Sequence, residues 1–141
     1  MDAELKRMEL ERGVLGAMDI AASRAMKWGV DDCSLWCADV LKGALGYDAG
    51  VQFRGRYKTA RGARRALGRK GLLGALQGMA RKHHWRSIAA GCEQPGDIGV
   101  LVSGKIASTV ICRAPGWFVG RELNGYTAIP SRMVSKIWAV I

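Results

Sequence analysis

The sequence predicts an α+β fold in which N-terminal helices precede a small antiparallel sheet. Through the first half, apolar residues recur near helical spacing, as in Leu5, Met8, Leu10, Val14, Leu15, Met18 and Ile20. From Pro95 onward the texture changes to short runs rich in β-branched residues, separated by turn dipeptides. The 141 residues, 49% hydrophobic and 24% charged, suffice for one buried core. One domain over 1–141 is expected, with an N-terminal helix (1–25), a helical half (28–91) and a sheet (95–141).

The first segment carries acids early, as the positive end of a helix dipole prefers, and Gly13 and Gly16 mark a possible break. A second helix is expected over Ser34–Leu45, with Leu35, Trp36, Val40, Leu41 and Leu45 on one side and Gly46 as its stop. Asp31 or Asp32 is its natural N-cap, because a short carboxylate can accept the unpaired amides of the first turn. Thr59 caps a third helix ending at Gly68, with Ala60, Ala63, Ala66 and Leu67 inward and Arg61, Arg64 and Arg65 outward. A short helical piece, Leu72–Met79, leads to Arg81-Lys82-His83-His84-Trp85-Arg86.

In the second half, Asp97–Val102 and Ile106–Cys112 read as a hairpin about Ser103-Gly104-Lys105. Trp117–Gly120 and Tyr126–Ile129 give further strands around the turn dipeptide Asn124-Gly125. A helical turn at Ser131–Val134 and a last strand over Lys136–Ile141 complete the expectation.

The formal charge of +10 is uneven. Residues 1–52 carry a net of −3, residues 53–91 a net of +11 with no acid, and the remainder a net of +2. Clustered arginines with Tyr57 and Trp85 interleaved suit phosphate contacts, so a nucleic-acid-binding protein is one alternative. No helix-turn-helix, zinc-finger or RNA-binding signature accompanies them. A positive surface for an acidic protein partner, built from Arg54, Arg56, Arg61, Arg64 and Arg65, is the reading preferred here. No run of apolar residues is long enough to span a bilayer, and the charged start lacks the apolar core of a signal peptide.

Four cysteines (Cys33, Cys37, Cys92, Cys112) are too scattered for a disulfide scaffold and lack the close pairs of a zinc site. No metal or other cofactor is expected. Cys33 differs from the others in standing at the first position of a helix. There the dipole favours thiolate and lowers a thiol's pKa, which is what a nucleophile needs.

Trp28-Gly29-x-x-Asp32-Cys33, followed by an apolar helix, resembles the nucleophile segment of NlpC-type cell-wall cysteine peptidases. Phe53–Ala63 and Gln94–Leu101 follow in the same order and narrow the likeness to small NlpC-like proteins of phage tail-assembly regions. The resemblance implies a papain-like fold, a place in the tail tip of a virion assembled in the host cytoplasm, tail-tip proteins as partners and peptidoglycan as a potential target. It implies Cys33 as nucleophile, with Asp32 capping the helix beside it. It also implies a histidine opening the strand after the Gly96-Asp97 turn, at or beside Ala107, where this chain has none. His84, folding back over Cys33, is the remaining candidate base, because such partners are recognised by geometry rather than chain order. The resemblance therefore implies a degenerate peptidase serving tail assembly; an active cell-wall peptidase or amidase using Cys33 is the first alternative.

Overall fold

The structure, a computed structural model, describes residues 2–141. Four helices come first: α1 (Ala3–Ser23), α2 (Cys33–Leu45), α3 (Ala60–Leu67) and α4 (Gly71–His83). Six strands follow: β1 (Arg86–Ile88), β2 (Ile98–Ser103), β3 (Ile106–Ala114), β4 (Trp117–Glu122), β5 (Gly125–Pro130) and β6 (Lys136–Ala139). They form one antiparallel sheet in the order β1-β6-β2-β3-β4-β5. The α+β expectation holds, helices first and sheet after. Among the described residues no helix is long and apolar enough to cross a membrane.

Helix α1 runs unbroken through Gly13 and Gly16. Gly13 serves packing: a Cβ there would stand 3.0 Å from Val40 Cγ1, so the glycine lets α1 and α2 approach closely. The buried stripe is Leu10, Val14, Ala17, Met18 and Ala21. Leu5, Met8, Leu15 and Ile20, counted into the stripe from sequence, are exposed. The true face uses alanines, which a reading weighted to large side chains passes over.

Helix α2 begins at Cys33, the expected first helical position, and is capped by Gly46, whose left-handed φ of 84° suits a residue without Cβ. Trp36 sits between α1 and the sheet core, 2% exposed, its indole N–H donating to the Ala17 carbonyl at 3.0 Å. Helix α4 extends beyond Met79 to His83, so the basic run Arg81-Lys82-His83 lies in its last turn, where cations meet the negative dipole end. Strand β1, absent from the sequence reading, is only three residues long and pairs with β6 at the sheet edge.

The helices cover one sheet face through Ile98, Val100, Ile111, Val119, Trp138 and Val140. The opposite face buries Val110, Cys112, Phe118, Ile129, Val134 and Ile137 among themselves. Two charged groups lock helices to sheet. Asp97 accepts from Arg7 of α1, the Val140 amide and the Gln94 amide. Arg121 of β4, fully buried, donates to the Ala21 and Arg24 carbonyls and to Asp31. Strand β3 pairs with β2 along its first six residues but with β4 only from Ile111 onward. The start of α2 stands against β3 at Thr109.

Candidate functional site

The site grows from the turn preceding α2. Asp32 is the N-cap, and its two oxygens take three donors: the Leu35 amide at 3.1 Å, the Gly29 amide at 3.0 Å and the Tyr57 hydroxyl at 2.6 Å. Gly29 has φ 80°, and a Cβ there would lie 2.0 Å from the Tyr57 carbonyl oxygen. Only glycine fits such an approach. The Gly55 amide in turn donates to the Gly29 carbonyl at 2.9 Å. The Trp28–Cys33 and Phe53–Ala63 stretches, singled out separately in the sequence, are thus one built unit. Asp32 is spent as a cap and as an anchor for Tyr57.

From this turn Cys33 enters α2, half-buried, with its Sγ 3.8 Å from Ser34 Oγ. Ser34 Oγ bonds Thr109 Oγ1 of β3 at 2.7 Å, closing the site against the sheet. The third stretch, through the Gly96-Asp97 turn and its hairpin, therefore supplies the opposite wall. Burial pushes the Cys33 thiol up, and hydrogen bonds from the Thr109 backbone and Ser34 offset this only in part. The direction is opposite to the depressed pKa expected at a helix N-terminus, with desolvation of the charged form the largest cause. Cys37, one turn along, is fully buried and is core; burial raises its thiol further.

Ala107, at the position the resemblance assigns to a histidine, lies on β3 at the rim of the same cavity as Cys33, exposed. His84 does not line that cavity. It is the exposed C-cap of α4, in a left-handed conformation with φ 60°. Its neighbour His83 stacks on Tyr47, ring centroids 3.9 Å apart, and burial with the nearby Lys82 lowers its pKa. Tyr47 also takes the Trp85 indole N–H at 2.9 Å. As a base for Cys33, His84 is corrected: it belongs to the cap of α4. Among the described residues no group of three His, Cys, Asp or Glu side chains is placed to hold a metal.

The arginines divide. Arg54, read as partner-binding, is tied inward by Asp39 at 2.7 Å and by Asp48 at 2.7 and 3.0 Å, staples that hold the Tyr47–Tyr57 loop to α2. Its hydrogen bonds keep the Asp48 carboxyl below its usual range. Arg56, Arg61, Arg64 and Arg65 are exposed, and none forms a salt bridge among the described residues. They remain available to a partner.

Beyond Cys33 opens a cavity of about 560 Å³, walled by α2, α3, α4 and the start of β3. Its long walls are apolar, with Leu41, Ala63, Leu67, Leu72, Leu76 and Met79 among them. Ser34 and Thr109 were not singled out in the sequence. Their pairing spans 75 positions, and no local pattern announces it. Chemically the site offers a protonated thiol, a hydroxyl pair engaged with itself and a carboxylate already saturated. No curated protein and no solved structure matches the chain. A family model described as a domain of unknown function (DUF6950) matches residues 6–140, and the chain belongs to that family.

Proposed function

We propose that this protein is a phage tail-tip or tail-assembly component with an NlpC-like, papain-like fold whose hydrolytic site is degenerate. The observation that carries the reading is the company Cys33 keeps. A peptidase thiol needs a base within hydrogen-bond reach. Here its neighbours are Ser34 and Thr109, with Ala107 at the rim where a histidine is expected. A thiol raised by burial stays protonated at neutral pH, and the carboxylate beside it, Asp32, is already taken by three donors. The meeting of the Trp28–Cys33 and Phe53–Ala63 stretches at one turn, closed by β3 at Thr109, supports the fold half of the proposal.

Assembly then rests on surface rather than chemistry. Arg56, Arg61, Arg64 and Arg65 present positive charge to an acidic neighbour in the tail. Reversing Arg61, Arg64 and Arg65 to Glu is expected to reduce incorporation into tails; particles of normal composition from that variant would refute the docking role.

The test of the site is the pH dependence of Cys33 alkylation, read by mass spectrometry against exposed Cys92. The expected midpoint lies above ~8.5, the ordinary thiol value, with no release of peptide from purified cell wall. Rapid labelling well below that value, with turnover lost in Cys33→Ala, would replace this reading with an active peptidase. Tight DNA binding that falls steeply with salt would replace it with a nucleic-acid role.

A further inference from the structure

Protein interiors are close-packed, so apolar helix faces that front open space need an explanation. The inward face of α3 is Ala60, Ala63 and Leu67, at i, i+3 and i+7, yet none of its residues is fully buried. The facing side of α4 offers Leu72, Ala75, Leu76 and Met79 at the same spacing. The two faces touch only in part, and their apolar residues line the cavity of about 560 Å³. That size falls in the range of small-molecule sites, roughly 300–1,000 Å³.

The lining also restricts the chemistry of an occupant. The acid in it, Asp32, is buried and saturated by three donors. Ser34 and Thr109 share one hydrogen bond. Two cations, Arg64 from α3 and Lys105 from the β2–β3 turn, line the same cavity, exposed and without a salt bridge among the described residues. A peptide laid between α3 and α4 would bury amide groups against helix walls whose own backbone bonds are made, leaving polar groups unpaired. An alkyl chain carries no such groups.

We infer that this cavity is a binding site for a long-chain carboxylate, its alkyl chain between α3 and α4 and its carboxylate held by Arg64 and Lys105. The inference goes beyond tail assembly and is independent of whether Cys33 hydrolyses anything. Cys33 serves here as a reporter, because it lies in the cavity wall.

The test uses the full chain with dodecanoate below its micellar concentration, and dodecanol as the neutral control of equal length. Titration calorimetry is expected to give one site, and dodecanoate to slow Cys33 alkylation while leaving Cys92 unchanged. Arg64→Gln with Lys105→Gln is expected to weaken dodecanoate about tenfold or more, as loss of charge-assisted contacts does. Ala63→Trp, which fills the cavity from half-buried α3, is expected to abolish both signals while circular dichroism stays unchanged. No heat and no protection of Cys33 in the unmodified protein overturns the proposal. Dodecanol binding as tightly as dodecanoate overturns the role of the two cations. Binding that survives Ala63→Trp overturns the location.

Discussion

Two helix pairs in this molecule begin from the same sequence recipe and end differently. In α1 and α2, apolar stripes meet: Leu10, Val14 and Ala21 are wholly buried, Gly13 admits Val40, and Trp36 bridges to the Ala17 carbonyl. In α3 and α4 the stripes face each other across a cavity, and α3 buries no residue completely. The difference lies in size and in side chains at the contact. The first pair approaches closely, with Gly13 against Val40 and Trp36 reaching the Ala17 carbonyl; in the second, Leu67, Leu72, Leu76 and Met79 reach the core while Ala60, Ala63 and Ala75 leave a gap. A stripe fixes which face turns inward, whereas complementary volume decides whether the faces touch. The packed pair supplies the frame for Cys33, and the open pair supplies the space beside it.

The sharpest way to break this comparison is to truncate each pair at its inward face. Trp36→Ala removes a side chain that is 2% exposed, together with its hydrogen bond, and is expected to cost about 3–5 kcal/mol in denaturant unfolding. Leu67→Ala in α3 removes a side chain only partly buried against the edge of the core and is expected to cost about 1–2 kcal/mol. Comparable losses at both sites would mean that α3 is packed as firmly as α2.

This contrast also marks what could be read before the structure. Elements with a local signature were legible: the Asp32 and Thr59 caps, the left-handed Gly46 stop and the hairpin about Gly104. So was the Trp28–Cys33 turn, because Gly29 and Asp32 act within four residues of one another. The Ser34–Thr109 bond and the inward commitment of Arg54 were not, because both depend on which surfaces tertiary folding brings together. The thiol misled for the same reason. A helix N-terminus is visible in sequence and predicts a lowered pKa, but the burial that raises the thiol depends on tertiary packing that no local pattern records.

The joint between the two regions is Tyr57, whose hydroxyl donates to Asp32 at 2.6 Å. Tyr57→Phe is expected to cost about 1.5–3 kcal/mol at neutral pH, the range for hydrogen bonds to charged groups. The effect has a definite pH signature. Burial and the bond to Asp32 hold the Tyr57 phenol well above its ordinary value, and burial raises the Cys33 thiol as well. The folded protein therefore keeps protons that the unfolded chain releases above ~8.5 for the thiol and ~10 for the phenol. Stability is unaffected by these groups below those values and falls as pH rises past them. In Tyr57→Phe the phenol's share of that alkaline loss disappears, so the gap to the unmodified protein narrows above pH ~10. A gap constant from pH 7 to 11 would show that Asp32 does not depend on this hydroxyl in the folded state.

The smallest effect asks whether the open pair unfolds with the packed one. Gly16 in α1 and Gly78 in α4 both lie inside helices, at ordinary φ, and a Cβ at either meets nothing within 4 Å. Alanine at each is expected to stabilise its helix by about 0.5–1 kcal/mol, through lower backbone entropy in the unfolded chain. For Gly16→Ala the gain should appear in the global denaturation midpoint, because α1 carries the central core. For Gly78→Ala the outcome depends on how α4 opens. Leu72, Leu76 and Ala80 tie it to the same core, whereas Ala75 and Met79 on its cavity side are only partly buried. If α3 and α4 open as a unit below the global transition, hydrogen exchange of α4 amides should slow in Gly78→Ala by roughly two- to fivefold while the midpoint stays fixed. If the two glycines shift the midpoint equally, the cavity lies inside a single cooperative unit, and a ligand must enter it without unfolding α3.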